Sequence, residues 1–158
     1  VLLKSPTTTP LDHEVADRLA GQLGLDAIEF GLEMFRARAE LVAFSAADAV
    51  SRDLKEYRVG DLSIAVAQVE TVDADEYLDR AEELGAALAA MADNRGFGLA
   101  MLLVTDVVRE GSYVLGTGKT RIAERALAID LSGGPAWVDG LLSRKKQVAS
   151  RLLETAGA

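Results

Sequence analysis

The sequence predicts an α/β fold, a mixed β-sheet flanked by helices, with residues 1–52 as a helical lead-in and 53–158 as the α/β core. Three observations carry that prediction. Capped, four-residue apolar spacings fill the start of the chain. Alternating apolar residues on either side of Gly60-Asp61 mark a β-hairpin. The run Leu99-Ala-Met-Leu-Leu-Val-Thr105, apolar on both faces and bracketed by helical patterns, reads as a central strand covered on both sides.

Thr9 before Pro10 is an N-cap and first-turn pair, with Asp12 well placed against the helix dipole. Leu11, Val15, Leu19 and Leu23 follow as one stripe expected to be buried, ending near Gly24. A second helix is expected from Asp26 to about Ala39 with Ile28, Leu32 and Phe35 inward, and a short third from Ser45, capped with Asp48. Leu54, Tyr57 and Val59 lead into Gly60-Asp61, and Leu62, Ile64, Val66 and Val69 continue as the second hairpin strand. Asp73 with Glu76 forms a capping-box pattern and Val72 with Tyr77 a hydrophobic staple, opening a helix that buries Leu78, Ala81, Leu84, Leu88 and Met91 and ends at Gly96. Its Asp75, Glu76, Asp79, Glu82 and Glu83 read as a solvated face rather than a metal site. Beyond the central strand come a strand at Ser112–Leu115, a helix at Thr120–Leu127, a strand at Ala128–Leu131, a loop at Ser132–Pro135 and a final helix from Ser143 to about Thr155.

The 158 residues suit one domain, and 49% hydrophobic with 27% charged residues is globular composition. The 25 Asp and Glu outnumber 17 Lys and Arg for a net charge of −8, which opposes nucleic-acid binding. No cysteine is present, which removes disulfides and thiolate chemistry and suits a cytoplasmic location. No apolar run approaches the roughly 20 residues of a membrane span, so no membrane partner is expected. The start at Val1, without a signal pattern, suggests a piece of a longer protein.

Gly116-Thr-Gly-Lys-Thr120 lacks the upstream glycine of a phosphate-binding P-loop, since Tyr113 stands there, and reads as a loop entering a helix. His13 is the only histidine, and Asp17 occupies the place a zinc-binding H-E-x-x-H helix would need for its second histidine. Asp106 ends the central strand, where a turn or cap role outweighs a functional one. Ser143-Arg144-Lys145-Lys146-Gln147 is different. A serine cap puts three cations into the first turn of a helix, each unfavourable by about 0.3–1 kcal/mol when exposed. A bound anion reverses that sign, with Arg as a fork and Lys as a point charge. A solvated basic face and an electrostatic contact with acidic neighbours are the alternatives. Lys4, before the first cap, is a second donor candidate.

Lys4-Ser-Pro-Thr-Thr-Thr9, Gln68-Val-Glu-Thr-Val-Asp73, Leu102-Leu-Val-Thr-Asp106 with Glu110-Gly-Ser112, and Ser143-Arg-Lys-Lys-Gln147 together resemble, in order and separation, the C-terminal DHHA2-type domain of the manganese-dependent (family II) inorganic pyrophosphatases of the DHH phosphoesterase superfamily. The resemblance runs over essentially the whole chain. It implies a DHHA2-like fold that clamps pyrophosphate, with Lys4, Arg144 and Lys145 binding phosphate, and Ser143, Lys146 and Gln147 in support. It also implies that an N-terminal DHH domain, absent from this chain, binds Mn²⁺, with Mg²⁺ or Co²⁺ as alternatives, and that the parent is a homodimer. With no DHH motif and one histidine, this chain is expected to hold no metal and no catalytic residue, and to be inactive alone. An exopolyphosphatase or prune-like phosphoesterase shares the domain and is the near alternative; a noncatalytic anion-sensing or protein-interaction module is the distant one.

Overall fold

The computed structural model describes residue 3, residues 7–40 and residues 45–157, with backbone alone for residues 38–40. The chain forms two compact units, residues 1–43 and 44–158. The first contains α1 (Pro10–Leu23) and α2 (Ala27–Glu40). Thr9 caps α1: its Oγ1 accepts from the Asp12 N–H at 3.4 Å while the Asp12 carboxylate accepts from the Thr9 N–H at 2.7 Å. Gly24 closes the helix in the left-handed region at φ 68°. Asp26 Oδ1 accepts from the N–H groups of Ile28 and Glu29 to open α2. The leucine stripe is not buried as expected: Leu11, Leu19 and Leu23 are 64%, 51% and 72% exposed, and Ile28 46%. Helical spacing establishes that these residues share a face, and it says nothing of what covers that face.

The second unit is a five-stranded sheet in the order β1 (Lys55–Val59), β2 (Leu62–Thr71), β3 (Leu99–Asp106), β4 (Gly111–Gly118) and β5 (Ala136–Asp139). The pair β2/β3 is parallel and the other three pairs are antiparallel, so the sheet is mixed, as the hairpin and the buried run together require. Every residue of β3 is buried. α3 (Ala46–Ser51), α4 (Asp75–Leu78) and α5 (Ala81–Arg95) serve one face, where Ala49, Val50, Leu84 and Leu88 pack on Ala65, Ala67, Leu102 and Val104. Ala49 and Val50, on α3, are core residues of this unit. The opposite face carries Ile64, Val66, Leu99, Met101, Leu103 and Val114 beneath α6 (Thr120–Leu127), a π-helical turn (Arg144–Ala149) and α7 (Ser150–Gly157).

Two local expectations are corrected. The Asp73 capping box does not form: the Asp73 N–H that Glu76 would take goes to Thr71 Oγ1 at 3.2 Å, and the Ala74 N–H goes at 3.2 Å to Oδ2 of Asp106, from β3. Ala74 becomes the helix boundary, Asp73 Oδ1 accepts from the Asp75 N–H, and the expected single helix is divided into α4 and α5. Ala128–Leu131 is not a strand: Ala128 closes α6 at φ 55°, a backbone region no strand uses, and the fifth strand lies at Ala136–Asp139. There Trp137 lies against Gly111, where any Cβ would collide with its indole. It meets Tyr113 edge-on at 5.0 Å and carries the Arg109 guanidinium 4.3 Å from its ring.

Candidate functional site

Strand alternation decides which side chains meet the last helical segment. Successive residues of a strand point to opposite faces, so Gln68 follows Ile64 and Val66, Thr105 follows Leu99, Met101 and Leu103, and Ser112 precedes Val114 on the face beneath the π-helical turn. At the carboxyl ends of the parallel strands β2 and β3, this face changes from apolar to hydroxyl and amide. Thr105 and Ser112 are register partners across β3/β4, with oxygens 2.8 Å apart.

Proton counting gives this cluster a direction. Ser112 has one hydroxyl proton, and it goes to the Leu141 carbonyl at 2.5 Å. Thr105 therefore donates to Ser112, and its oxygen accepts from Gln68 Nε2 at 2.9 Å. Gln68 Nε2 also donates to the Leu142 carbonyl at 3.3 Å. Gln147 grips the same turn from the other side. Its Oε1 accepts from the N–H groups of Leu142 and Ser143 at 2.9 and 2.8 Å, and its Nε2 donates to the Gly140 carbonyl at 2.8 Å. Ser143 Oγ accepts from the Lys146 N–H at 3.2 Å, the cap its sequence position predicts. The turn at residues 140–143 is thus held from β2 and β4, through Gln68 and Ser112 that Thr105 of β3 links, and by the helix it introduces.

That turn presents Arg144, Lys145 and Lys146. The two lysines are exposed. The Arg144 side chain is only 10% exposed, and its Nη1 donates to the backbone carbonyl of Asp53 and forms an ion pair with the Asp53 carboxylate at 3.0 Å. Its Nε is sealed from solvent and has no hydrogen-bond partner. A buried guanidinium N–H without an acceptor is a rare and unfavourable arrangement, and the natural complement to it is an anion oxygen.

Of the residues singled out by sequence, Ser143, Arg144, Lys145, Lys146 and Gln147 come together here; Lys4 lies outside the described residues. Asp106 has the turn-and-cap role: its buried carboxylate accepts from the N–H groups of Ala74, Val108 and Arg109. Gly118 has φ 82° and lies against the Gly98 carbonyl, which leaves no room for a Cβ, so the Gly116–Thr120 glycines serve strand packing and the entry to α6. His13 is exposed on α1, and the acidic row of α4 and α5 faces solvent. Among the described residues no group of three or more His, Cys, Asp or Glu side chains could hold a metal ion. Sequence reasoning gave no role to Asp53, Gln68, Thr105 or Ser112. The available signal was a polar residue interrupting each apolar alternation on the same face.

Residues 32–155 match the DHHA2 domain. The chain belongs to the DHHA2 domain family. Its similarity to curated proteins extends over nearly all its length. It is 38% identical over 155 residues to a probable manganese-dependent inorganic pyrophosphatase of Bacillus licheniformis, covering 98% of this chain and 50% of that protein. It is 34% identical over 153 residues to the manganese-dependent inorganic pyrophosphatase of Methanocaldococcus jannaschii, covering 96% of this chain and 50% of the relative. This DHHA2 domain therefore spans about half the length of the curated relatives it matches. Its fold matches the crystal structure of a candidate family II inorganic pyrophosphatase of Methanococcus jannaschii with a TM-score of 0.81 at 31% identity, over 98% of this chain and 50% of that one.

Proposed function

We propose that this DHHA2 domain is the substrate-clamping part of a manganese-dependent inorganic pyrophosphatase, which hydrolyses pyrophosphate to two phosphates in the cytoplasm. The observation that carries the reading is the buried, unpartnered Nε of Arg144, beside exposed Lys145, on a turn held by Gln68, Ser112 and Gln147. Arg144 supplies a planar fork for phosphate oxygens, and Lys145 supplies a point charge. Together they offset negative charge that builds on the leaving phosphate, which is where fixed cations lower the barrier most. Lys4, on the K-S-P-T segment, is assigned to the same substrate. Ser143 and Gln147 set the geometry of the turn, and Lys146 adds to the local positive potential.

Manganese, which supplies an activated water in this chemistry, is assigned to a companion DHH domain of the parent, itself a homodimer. The described residues do not assemble a metal site, so no step is assigned to a metal on this chain. Closure of the two domains then completes the site and excludes water.

The test is Mn²⁺-dependent phosphate release from pyrophosphate by the intact parent, beside its Arg144→Ala variant. The variant is expected to lose about 100-fold or more in kcat, the size of effect that follows removal of one preorganised charge-stabilising donor. Unchanged turnover would remove Arg144 from the substrate, and activity on polyphosphate alone would move the assignment to an exopolyphosphatase. The 158-residue chain by itself is expected to release no phosphate above background.

A further inference from the structure

We infer that Asp53 is an internal stand-in for substrate phosphate: it stows Arg144, and an anion engages that guanidinium only by taking Asp53's place. The inference rests on reading Arg144 as the phosphate-binding arginine, and it concerns how access to that site is regulated.

Asp53 lies between α3 and β1, far in sequence from the basic turn, and sets two oxygens against the same Nη1, its own carbonyl and its carboxylate. Asp53 thus places oxygens, one of them anionic, at the guanidinium end where a phosphate oxygen would sit. In this arrangement Nε is closed to solvent, so no anion can meet it until the side chain moves. The polar contact that holds the guanidinium in this position is the one with Asp53.

Three features make the stowed arrangement easy to leave. The unpartnered Nε–H gains an acceptor on release, so burial works against it. Asp53 is itself 54% exposed and sits at φ 41°, in the left-handed region that disfavours residues other than glycine, with Asn and Asp the best tolerated. Lys55 Nζ, 3.9 Å from Asp53 Oδ1, offers the released carboxylate a second cation. Arg144 also begins a π-helical turn, a wide and uncommon winding found where helices change register at functional sites. Anion affinity is then lowered by the fraction of molecules in which Asp53 holds the arginine. The same exchange returns Asp53 to Arg144 as product departs.

Calorimetric titration of the 158-residue chain with pyrophosphate tests this. Asp53→Asn keeps the backbone carbonyl and suits the left-handed backbone, so the fold is retained while the competing charge is lost. It is expected to bind pyrophosphate about ten-fold more tightly, which corresponds to one modest ion pair. A merely structural role for Asp53 predicts no gain. Arg144→Ala is expected to weaken binding, and adding Asp53→Asn to it is expected to change affinity by less than about two-fold, since the gain passes through the arginine. Unchanged or weaker binding by Asp53→Asn overturns the stand-in, while a loss in Arg144→Ala would leave the phosphate-site reading intact. An equal gain in both backgrounds also overturns it, as a long-range field effect. Arg144→Ala binding as tightly as the unmodified chain would take down the site reading, and the stand-in with it.

Discussion

Thr105 does two jobs with one hydroxyl, accepting from Gln68 and donating to Ser112. Replacing it by the isosteric valine leaves a half-buried amide donor and a buried hydroxyl oxygen each short of a partner, at about 1–3 kcal/mol in all. Urea unfolding of Thr105→Val is expected to show that loss, and Thr105→Ser, which keeps the hydroxyl, to recover most of it. Equal stability of the valine and serine variants would mean that the hydroxyl chain is not carrying the turn. The long-range bonds of this chain could not be read from the sequence: Gln68–Thr105, Ser112–Leu141 and Gln68–Leu142 join residues 37, 29 and 74 positions apart, and the Asp53–Arg144 pair spans 91. What was readable was local chemistry: Ser143 as a cap, and three cations packed into one helical turn. Gln147, read as a supporting residue, bonds the backbone of the loop through both atoms of its amide.

Local signals served elements well where their partners lay within one turn. The Thr9–Asp12 cap is such a case. The Thr9 backbone N–H, and next its hydroxyl, hold the Asp12 carboxyl below its ordinary value. A depressed folded-state pKa means the stabilisation is present above the unfolded carboxylate's titration and is lost as pH falls through the folded value. The first turn of α1 is therefore expected to fray on acidification below the ordinary aspartate range, seen as upfield movement of the Thr9 and Asp12 amide protons. A flat profile through that range would count against the cap. The Asp73 signal failed because another local partner won: Thr71 Oγ1 takes the Asp73 N–H, and the Asp73 carboxylate accepts from Asp75 instead. The missed β5 is four residues long, directly after Pro135, too short for alternation to announce itself.

The mixed sheet was legible because β3 is apolar on both faces and β1–β2 carries a turn; which strand lies beside which was not, since order depends on pairings between distant segments. The finished molecule is uneven. β3 is buried throughout, with a packed cluster on either face, whereas α1 has no buried residue. Native-state hydrogen exchange is expected to follow that contrast. β3 amides should open only when the sheet unfolds globally, and mid-α1 amides should exchange at least about 100-fold sooner, as local opening does where little apolar surface is lost. Comparable protection in both would show that the exposed leucines of α1 are covered in solution.

Trp137 is the chain's one tryptophan, wedged against Gly111, edge-on to Tyr113 and roofed by the Arg109 guanidinium. Its strand leads directly into the Gly140–Ser143 turn, whose hydrogen bonds set the start of the basic helix. The protein thus contains its own optical gauge: when β5 peels from β4 the indole loses its cationic roof, and its emission, free of any competing fluorophore of the same kind in this chain, reads out the loosening of the Gly140–Ser143 turn without a label.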